Sequence, residues 1–133
     1  IKPALLEQRG GYKYSLAAVS LIDSIANDKR DVHVVNIKND GTLPFMEDDD
    51  VVEISAVIGA DGATPVPVKK KTNRHMQGLM QSVKAYEKYA VEAALNGDDE
   101  AAMKALMVHP LIGDYENAKA CYEEMKVAHR NYL

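Results

Sequence analysis

Two runs of β-branched residues in the first half of the chain are the feature that most limits its fold. Residues 32–37 read VHVVNI and residues 51–58 read VVEISAVI, so both runs predict β-strands. Apolar residues at helical spacing precede these runs and return after them. A small sheet buries one face against helices, so this order predicts an α+β fold with a small antiparallel sheet packed with helices.

The helical segments are defined by apolar spacing and by residues that begin or end helices. Residues 12–27 have a helical pattern, and residues 73–96 carry a broad apolar face that ends at Gly97. Asp98 and Asp114 are suited to cap two further helices. A short helical piece is also expected over residues 3–8, before the glycine pair that follows it.

The segment between the strands contains turn signals. Residues 39–41 read NDG and predict a turn, and residues 43–45 are expected to continue as extended chain. A second turn follows the second strand, and the chain returns over residues 64–68. Pro65 and Pro67 cannot donate ladder hydrogen bonds, so this last strand is predicted at the edge of the sheet.

Length and charge exclude several classes of protein. A chain of 133 residues fits a single domain, and 16 basic against 20 acidic residues argue against nucleic acid as the partner. No apolar run approaches the roughly 20 residues that cross a bilayer, so no membrane partner is expected. One cysteine excludes a disulfide framework and suits a reducing compartment.

The residues that often bind metals do not form a recognisable set. The four histidines lie far apart in the sequence, and Cys121 has no partner at ligand spacing, so no metal site is predicted. The acidic residues 47–50 lack the spacing of a calcium-binding loop and are interpreted as a solvated turn. No catalytic residue is predicted within the chain.

The glycine pair Gly10-Gly11 is the sharpest local feature. Arg9 precedes the pair, and Tyr14 and Ser15 follow it where the first long helix begins. Free N–H groups and the positive end of a helix favour an anion such as phosphate. The alternative is a helix–helix turn in which glycine serves only the backbone geometry. The residues alone leave both interpretations open.

Several segments, taken in order, match the sequence patterns of one enzyme family. They are KPALLEQRGG with the following Tyr14-Ser15, VHVVN at 32–36, NDG at 39–41, DVVEI at 50–54, VKAYE at 83–87, VEAA at 91–94, HPL at 109–111 and AHRNYL at 128–133. These segments resemble the C-terminal region of the family 4 glycoside hydrolases, and within that family they are most similar to the 6-phospho-β-glucosidases. Asp40 and Ser55 depart from the family pattern, where a second Asn and a Pro are usual.

The resemblance implies an enzyme larger than this chain. It implies a fold like the C-terminal domain of lactate and malate dehydrogenases, packed against an N-terminal Rossmann domain that this sequence lacks. It also implies hydrolysis of phosphorylated glycosides with NAD and Mn²⁺ or another divalent metal, by oxidation at C3, elimination of the aglycone, addition of water and return of the hydride. Residues 1–133 are then a single substrate and oligomerisation domain of a longer chain, inactive alone.

The resemblance also assigns a role to the glycine segment. It implies that Arg9, Gly10, Gly11, Tyr14 and Ser15 border the sugar and cofactor cleft, where a sugar phosphate or a pyrophosphate would be the anion. A homo-oligomer is expected, with the long helix over residues 73–96 contributing to the contact. Two alternatives remain at this point: the matching domain of a 2-hydroxy acid dehydrogenase, and an interaction module without catalysis.

Overall fold

Four helices and three strands follow the predicted order within residues 14–68 and 72–130, which are the residues that the computed structural model describes. This arrangement confirms the α+β class. The elements are α1 (Tyr14–Ala26), β1 (Asp31–Lys38), β2 (Val51–Gly59), β3 (Gly62–Pro65), α2 (Arg74–Asn96), α3 (Asp99–Val108) and α4 (Tyr115–His129). The helix expected over residues 3–8 lies outside the described residues.

The chain divides into two compact units, Ile1–Lys69 and Lys70–Leu133. The first unit contains α1 and the three strands, and the second contains α2, α3 and α4. The single-domain organisation expected from the length therefore stays a prediction.

The sheet of the first unit is antiparallel, in the order β1-β2-β3. β1 pairs along its whole length with β2, from Asp31 opposite Ile58 to Lys38 opposite Val51. Gly59 pairs with Gly62 across a two-residue turn, and β3 lies at an edge of the sheet as Pro65 predicts. β3 covers residues 62–65 and not the predicted 64–68, so Pro67 lies outside the strand. Alternate residues of β2 are buried and form most of the core of this unit: Val52, Ile54, Ala56 and Ile58.

Helix α1 packs on β2 through a serine. Ser24 is fully buried, and its hydroxyl donates a hydrogen bond to the carbonyl of Ile58 and accepts one from the N–H of Asp31, both at 3.3 Å. The helical spacing instead predicts an apolar face made of Tyr14, Ala17, Ala18, Leu21, Ile22 and Ile25, and all of these except the half-buried Leu21 are exposed. This prediction was wrong because α1 is apolar on almost every side, so its pattern does not single out the stripe that contacts the sheet.

The segment between β1 and β2 is a compact series of turns. Asn39 is fully buried, and its backbone N–H bonds the carbonyl of Asp50 at 2.7 Å, which closes the loop. Residues 43–45 turn instead of continuing as extended chain, since the N–H of Met46 bonds the carbonyl of Leu43 at 3.1 Å. The expectation of an extended stretch here was therefore wrong.

The helices of the second unit begin and end where their capping residues predict. Asn73, Asp98 and Asp114 each accept hydrogen bonds from backbone N–H groups of the helix that follows. Gly97 ends α2 in the left-handed conformation (φ 64°), and its N–H bonds the carbonyl of Ala93. Ala101 and Ala105 of α3 and Ala118 of α4 are buried.

Candidate functional site

The residues predicted to bind an anion lie at the start of α1. Arg9, Gly10 and Gly11 lie outside the described residues. Tyr14 and Ser15 are the first two residues of α1, and both are exposed, Tyr14 to 75%. The first turn of α1 holds no acidic residue, so its own side chains add no negative charge at the positive end of the helix. The binding role of all five residues stays a prediction.

One acidic group in the described part of the chain has the composition of a metal site. Single ligand oxygens of Glu47, Asp49 and Asp50 lie within 4.8 Å of one another. Carboxylate oxygens suit Mg²⁺, Ca²⁺ or Mn²⁺. However, Asp50 Oδ2 accepts a hydrogen bond from the N–H of Glu47 at 2.9 Å, so this side chain also holds the turn. The geometry agrees with the turn interpretation without requiring an ion.

The histidines occupy four different elements or element ends. His33 lies in β1, His75 in the first turn of α2, His109 directly after α3 and His129 at the end of α4. The described residues include no group of three ligands that contains a histidine or Cys121. His109 has a structural role, since its Nδ1 accepts a hydrogen bond from the N–H of Leu111 at 3.2 Å and its ring meets Tyr86 edge to face at 4.6 Å.

A charged cluster that sequence reasoning missed joins the α1–β1 loop to the β2–β3 turn. Asp28 Oδ1 accepts from the N–H of Ala60 at 2.9 Å and lies 2.8 Å from Arg30 Nε. Arg30 Nη1 reaches Asp61 Oδ1 at 3.1 Å. The hydrogen bond from Ala60 and the guanidinium of Arg30 lower the pKa of Asp28.

The backbone of this loop is strained, because Asp28 and Arg30 both have positive φ, at 47° and 61°. The only signal in the sequence was the run NDKRD at residues 27–31, which indicates a loop but not its contacts. Each charge in the cluster has a partner within the fold, so we assign the cluster a structural role.

A second polar cluster joins α3 to α4. The Tyr122 hydroxyl donates to Asp99 Oδ1, and Lys126 Nζ lies 2.8 Å from Asp99 Oδ2. Lys126 and Tyr122 lower the pKa of the Asp99 carboxyl, and the hydrogen bond to Asp99 raises the pKa of Tyr122. Both carboxylate oxygens are occupied by these contacts, so this cluster holds the helices together.

Among the described residues, no helix is both long enough and apolar enough to cross a membrane.

Comparison with known proteins relates almost the whole chain to one family. The model of the family 4 glycosyl hydrolase C-terminal domain matches residues 2–112. The chain is 41% identical over its full length to a Bacillus subtilis (strain 168) protein named "Probable 6-phospho-beta-glucosidase". It is 38% identical, again over its full length, to the 6-phospho-beta-glucosidase of Escherichia coli (strain K12). It spans 30% of each of these relatives.

Solved structures give the same result. The 6-phospho-beta glucosidase from Thermotoga maritima, solved with manganese, NAD⁺ and glucose-6-phosphate, has a TM-score of 0.83 and 35% identity over 98% of this chain and 32% of its own. A 6-phospho-alpha-glucosidase from gut microorganisms, solved with NAD and glucose-6-phosphate, has a TM-score of 0.82 and 29% identity over 99% of this chain and 30% of its own.

The family match covers the strands, the long helix and the turn after α3, and it includes every segment that carries the sequence resemblance except residues 128–133. It also argues against the 2-hydroxy acid dehydrogenase alternative. The chain belongs to the family 4 glycosyl hydrolases, and residues 2–112 are that family's C-terminal domain.

Proposed function

We propose that the chain is the C-terminal part of a 6-phospho-β-glucosidase that depends on NAD and a divalent metal. The observation that carries this proposal is the pattern of identities among relatives. Proteins named 6-phospho-beta-glucosidases match at 41%, 38% and 36% over 98–100% of the chain. Curated relatives named for α-glucosides match at 25–28% over 86–92% of the chain, and the solved 6-phospho-alpha-glucosidase matches at 29% over 99%. The difference favours β-linked phosphorylated glycosides as substrates.

The cofactor and the metal are proposed to bind outside the residues described above. The described residues do not fit NAD, because they contain no glycine-rich loop between a strand and a helix. They also lack a ligand set of histidine or cysteine for the metal. In the longer protein, an N-terminal Rossmann domain would hold these groups, and they would supply the redox chemistry of a redox-elimination-addition hydrolysis.

The contribution proposed for this chain is recognition of a phosphate. Arg9, Gly10 and Gly11 would approach the sugar phosphate or the cofactor pyrophosphate, with Tyr14 and Ser15 beside them. Two features of the described residues support this role. The side chains of Tyr14 and Ser15 are accessible, and the first turn of α1 holds no carboxylate that would repel an anion.

A cytoplasmic location belongs to the same proposal. NAD and phosphorylated sugars are retained inside cells, and the one cysteine, Cys121, is a free thiol. The remaining alternative, an interaction module without catalysis, predicts a stop codon upstream of the codon for Ile1. The enzyme predicts an open reading frame there that encodes a Rossmann glycine loop.

Activity assays on the longer protein test the proposal. We expect turnover of p-nitrophenyl-β-glucoside 6-phosphate only when NAD⁺ and Mn²⁺ are both supplied. The α-anomer and the unphosphorylated glucoside should be poor substrates. The 133-residue chain alone should show no turnover. Turnover by the chain alone, or a preference for the α-anomer, would contradict the proposal.

A further inference from the structure

The dipeptide Asn96-Gly97 joins α2 to α3 and has a chemical reactivity of its own. Asn96 is the last residue of α2, and Gly97 is its left-handed C-cap. Of the seven asparagines in the sequence, Asn96 is the one that is followed by glycine. The main-chain nitrogen of the next residue can attack the side-chain amide of an asparagine. This attack is least hindered by glycine, which has no Cβ and rotates most freely.

The surroundings of Asn96 leave room for this reaction. Residues 94–96 are exposed, Leu95 to 79%. A Cβ atom added at Gly97 would meet no atom within 4 Å, so the space around the reacting nitrogen is open. The last turn of α2 holds no basic side chain that would stabilise the negative end of the helix. A helix end with so few buried contacts opens at a low cost in free energy.

The carbonyl of Ala93 restrains the reacting nitrogen in the folded state. The N–H of Gly97 donates to this carbonyl at 2.9 Å, and the N–H of Asp98 donates to it at 3.3 Å. Helical backbone angles at Asn96 direct the Gly97 nitrogen along the helix axis and away from the Asn96 side chain. The nitrogen must therefore leave this bond before it can attack.

We propose that Asn96 is a site of spontaneous deamidation, which becomes reactive when the last turn of α2 opens. The Gly97 nitrogen loses its proton to solvent and forms a bond to Cγ of Asn96. The bond from Cγ to the side-chain nitrogen then breaks, and this nitrogen takes a proton from solvent and leaves as ammonia. Water adds to either carbonyl of the cyclic imide that results, and the ring opens to aspartate or isoaspartate. No oxidant or cofactor takes part.

Other sites with related sequences lack one of these conditions. Asn39 is fully buried, its amide is held by the backbone of Leu43, and the residue that follows it carries a side chain. Asp61 precedes Gly62 in an exposed turn, but its carboxylate lies 3.1 Å from Arg30 Nη1. An ionised carboxylate resists attack by nitrogen. The reaction is thus assigned to Asn96.

The product changes the charge of the junction between α2 and α3. A carboxylate at position 96 would lie at the negative end of α2, one turn after the exposed Glu92 and two residues before Asp98, the N-cap of α3. Isoaspartate also lengthens the main chain by one carbon atom, which displaces the Gly97 N–H from the Ala93 carbonyl. Both products therefore weaken the end of α2.

Peptide mapping of the 133-residue chain during incubation at mildly alkaline pH tests the proposal without reference to glycosidase activity. Trypsin releases residues 89–104 as one peptide, in which Asn96 is the only side-chain amide, and residues 39–69 as another, in which Asn39 is the only one. We expect deamidation at Asn96 to be faster by about tenfold or more, because the helix end opens more readily than the buried loop. Isoaspartyl methyltransferase should label the peptide 89–104. Equal rates in the two peptides would overturn the proposal.

The variant Gly78→Ala distinguishes opening of the last turn from unfolding of the whole unit. Gly78 lies in the interior of α2, and an added Cβ would meet no atom within 4 Å, so the substitution should stabilise the helix. Deamidation through the last turn should keep its rate in this variant. Deamidation through global unfolding should slow by about two- to fivefold, and that outcome would overturn the assignment to the last turn.

The variant Asn96→Asp reproduces the charge of the product. We expect its equilibrium constant of unfolding in urea to be about two- to fivefold higher at neutral pH, and to return toward the unsubstituted value at acidic pH, where the carboxyl is protonated. Asn36→Asp makes the same chemical change at an exposed strand position, away from any helix end, and should not reproduce this effect. Unchanged stability of Asn96→Asp would contradict the effect assigned to the product.

Discussion

The side chain of Asn39 and the backbone of Leu43 are joined by two hydrogen bonds. Asn39 Oδ1 accepts from the N–H of Leu43 at 2.8 Å, and Asn39 Nδ2 donates to the Leu43 carbonyl at 3.1 Å. The same Nδ2 reaches the carbonyls of Met46 and Glu47 at 3.2 and 3.1 Å. With its side chain fully buried, Asn39 is the centre around which the β1–β2 loop folds.

We therefore expect Asn39→Ala to be among the most destabilising substitutions in the first unit. It leaves the buried N–H of Leu43 without its acceptor and removes the amide donor from the part-buried carbonyls of Met46 and Glu47. A buried group left unsatisfied costs about 1–3 kcal/mol. Urea unfolding should show the loss as a lower midpoint. A change of less than about 0.5 kcal/mol, the range of ordinary surface substitutions, would contradict this role.

The isosteric variant Asn39→Asp separates shape from hydrogen bonding. The variant keeps a side-chain oxygen that can accept from the N–H of Leu43, but it loses the Nδ2 donor. A carboxylate then lies among the carbonyl oxygens that Nδ2 had bonded. Burial among acceptors should raise the pKa of this carboxyl in the folded state. The folded state then binds a proton more readily than the unfolded state, so the variant should lose stability as pH rises through the raised folded-state value. Equal destabilisation at acidic and neutral pH would be inconsistent with this account.

These contacts show which parts of the fold the sequence could predict. The helix ends at Asn73, Gly97 and Asp114 were predictable because capping depends on a few adjacent residues. The NDG sequence predicted a turn, but not that Asn39 would organise the chain as far as Glu47. That network depends on the burial of the amide, and one-dimensional patterns do not report burial.

A second prediction concerns Gly59, where β2 meets the β2–β3 turn. A Cβ atom added here would lie 2.4 Å from Asp28 Oδ1 and 2.7 Å from Arg30 Nε. Gly59→Ala must therefore displace the charged cluster, and we expect a loss of about 1–3 kcal/mol in unfolding free energy.

Gly78→Ala is the control, because its Cβ would meet no atom within 4 Å. Because Gly78 lies in the interior of α2, Gly78→Ala should raise the free energy of unfolding by about 0.5–1 kcal/mol. Similar effects of the two variants would exclude the clash as the cause.

A third prediction concerns the titration of Tyr122. The hydrogen bond to Asp99 raises the pKa of Tyr122 above its ordinary value of 10.0. Stability from this contact is present below pH 10 and is lost as pH rises through the raised value. Asp99→Asn should move the ionisation of Tyr122 to lower pH. The absorbance of tyrosinate, measured against a Tyr122→Phe variant, reports this shift. Asp61→Asn removes a charge from the cluster of Asp28, Arg30 and Asp61 and should leave the ionisation of Tyr122 unchanged. An equal shift of Tyr122 in that variant would indicate a general charge effect.

The site was less predictable than the fold. The spacing of Arg9, Gly10 and Gly11 allows both a simple turn and an anion site, since glycine serves either purpose. The interpretation as a sugar-phosphate site came from the family resemblance, since the residues alone do not decide between the two. The orientation of α1 was also unpredictable, since a helix with apolar residues on every side has no preferred face.

The last prediction concerns Arg9 in the longer enzyme. If its guanidinium contacts the substrate phosphate, Arg9→Ala removes a charge-assisted hydrogen bond of about 1.5–3 kcal/mol and should raise KM about 10–150-fold. Arg9→Lys should recover only part of this loss, because an ammonium group cannot make the planar two-point contact of a guanidinium. The unfolding midpoint should scarcely change in either variant. Arg74→Ala, at the exposed start of α2, removes the same charge elsewhere and should leave KM unchanged. Lower stability with unchanged KM would make Arg9 a structural residue of the turn and remove it from the binding site.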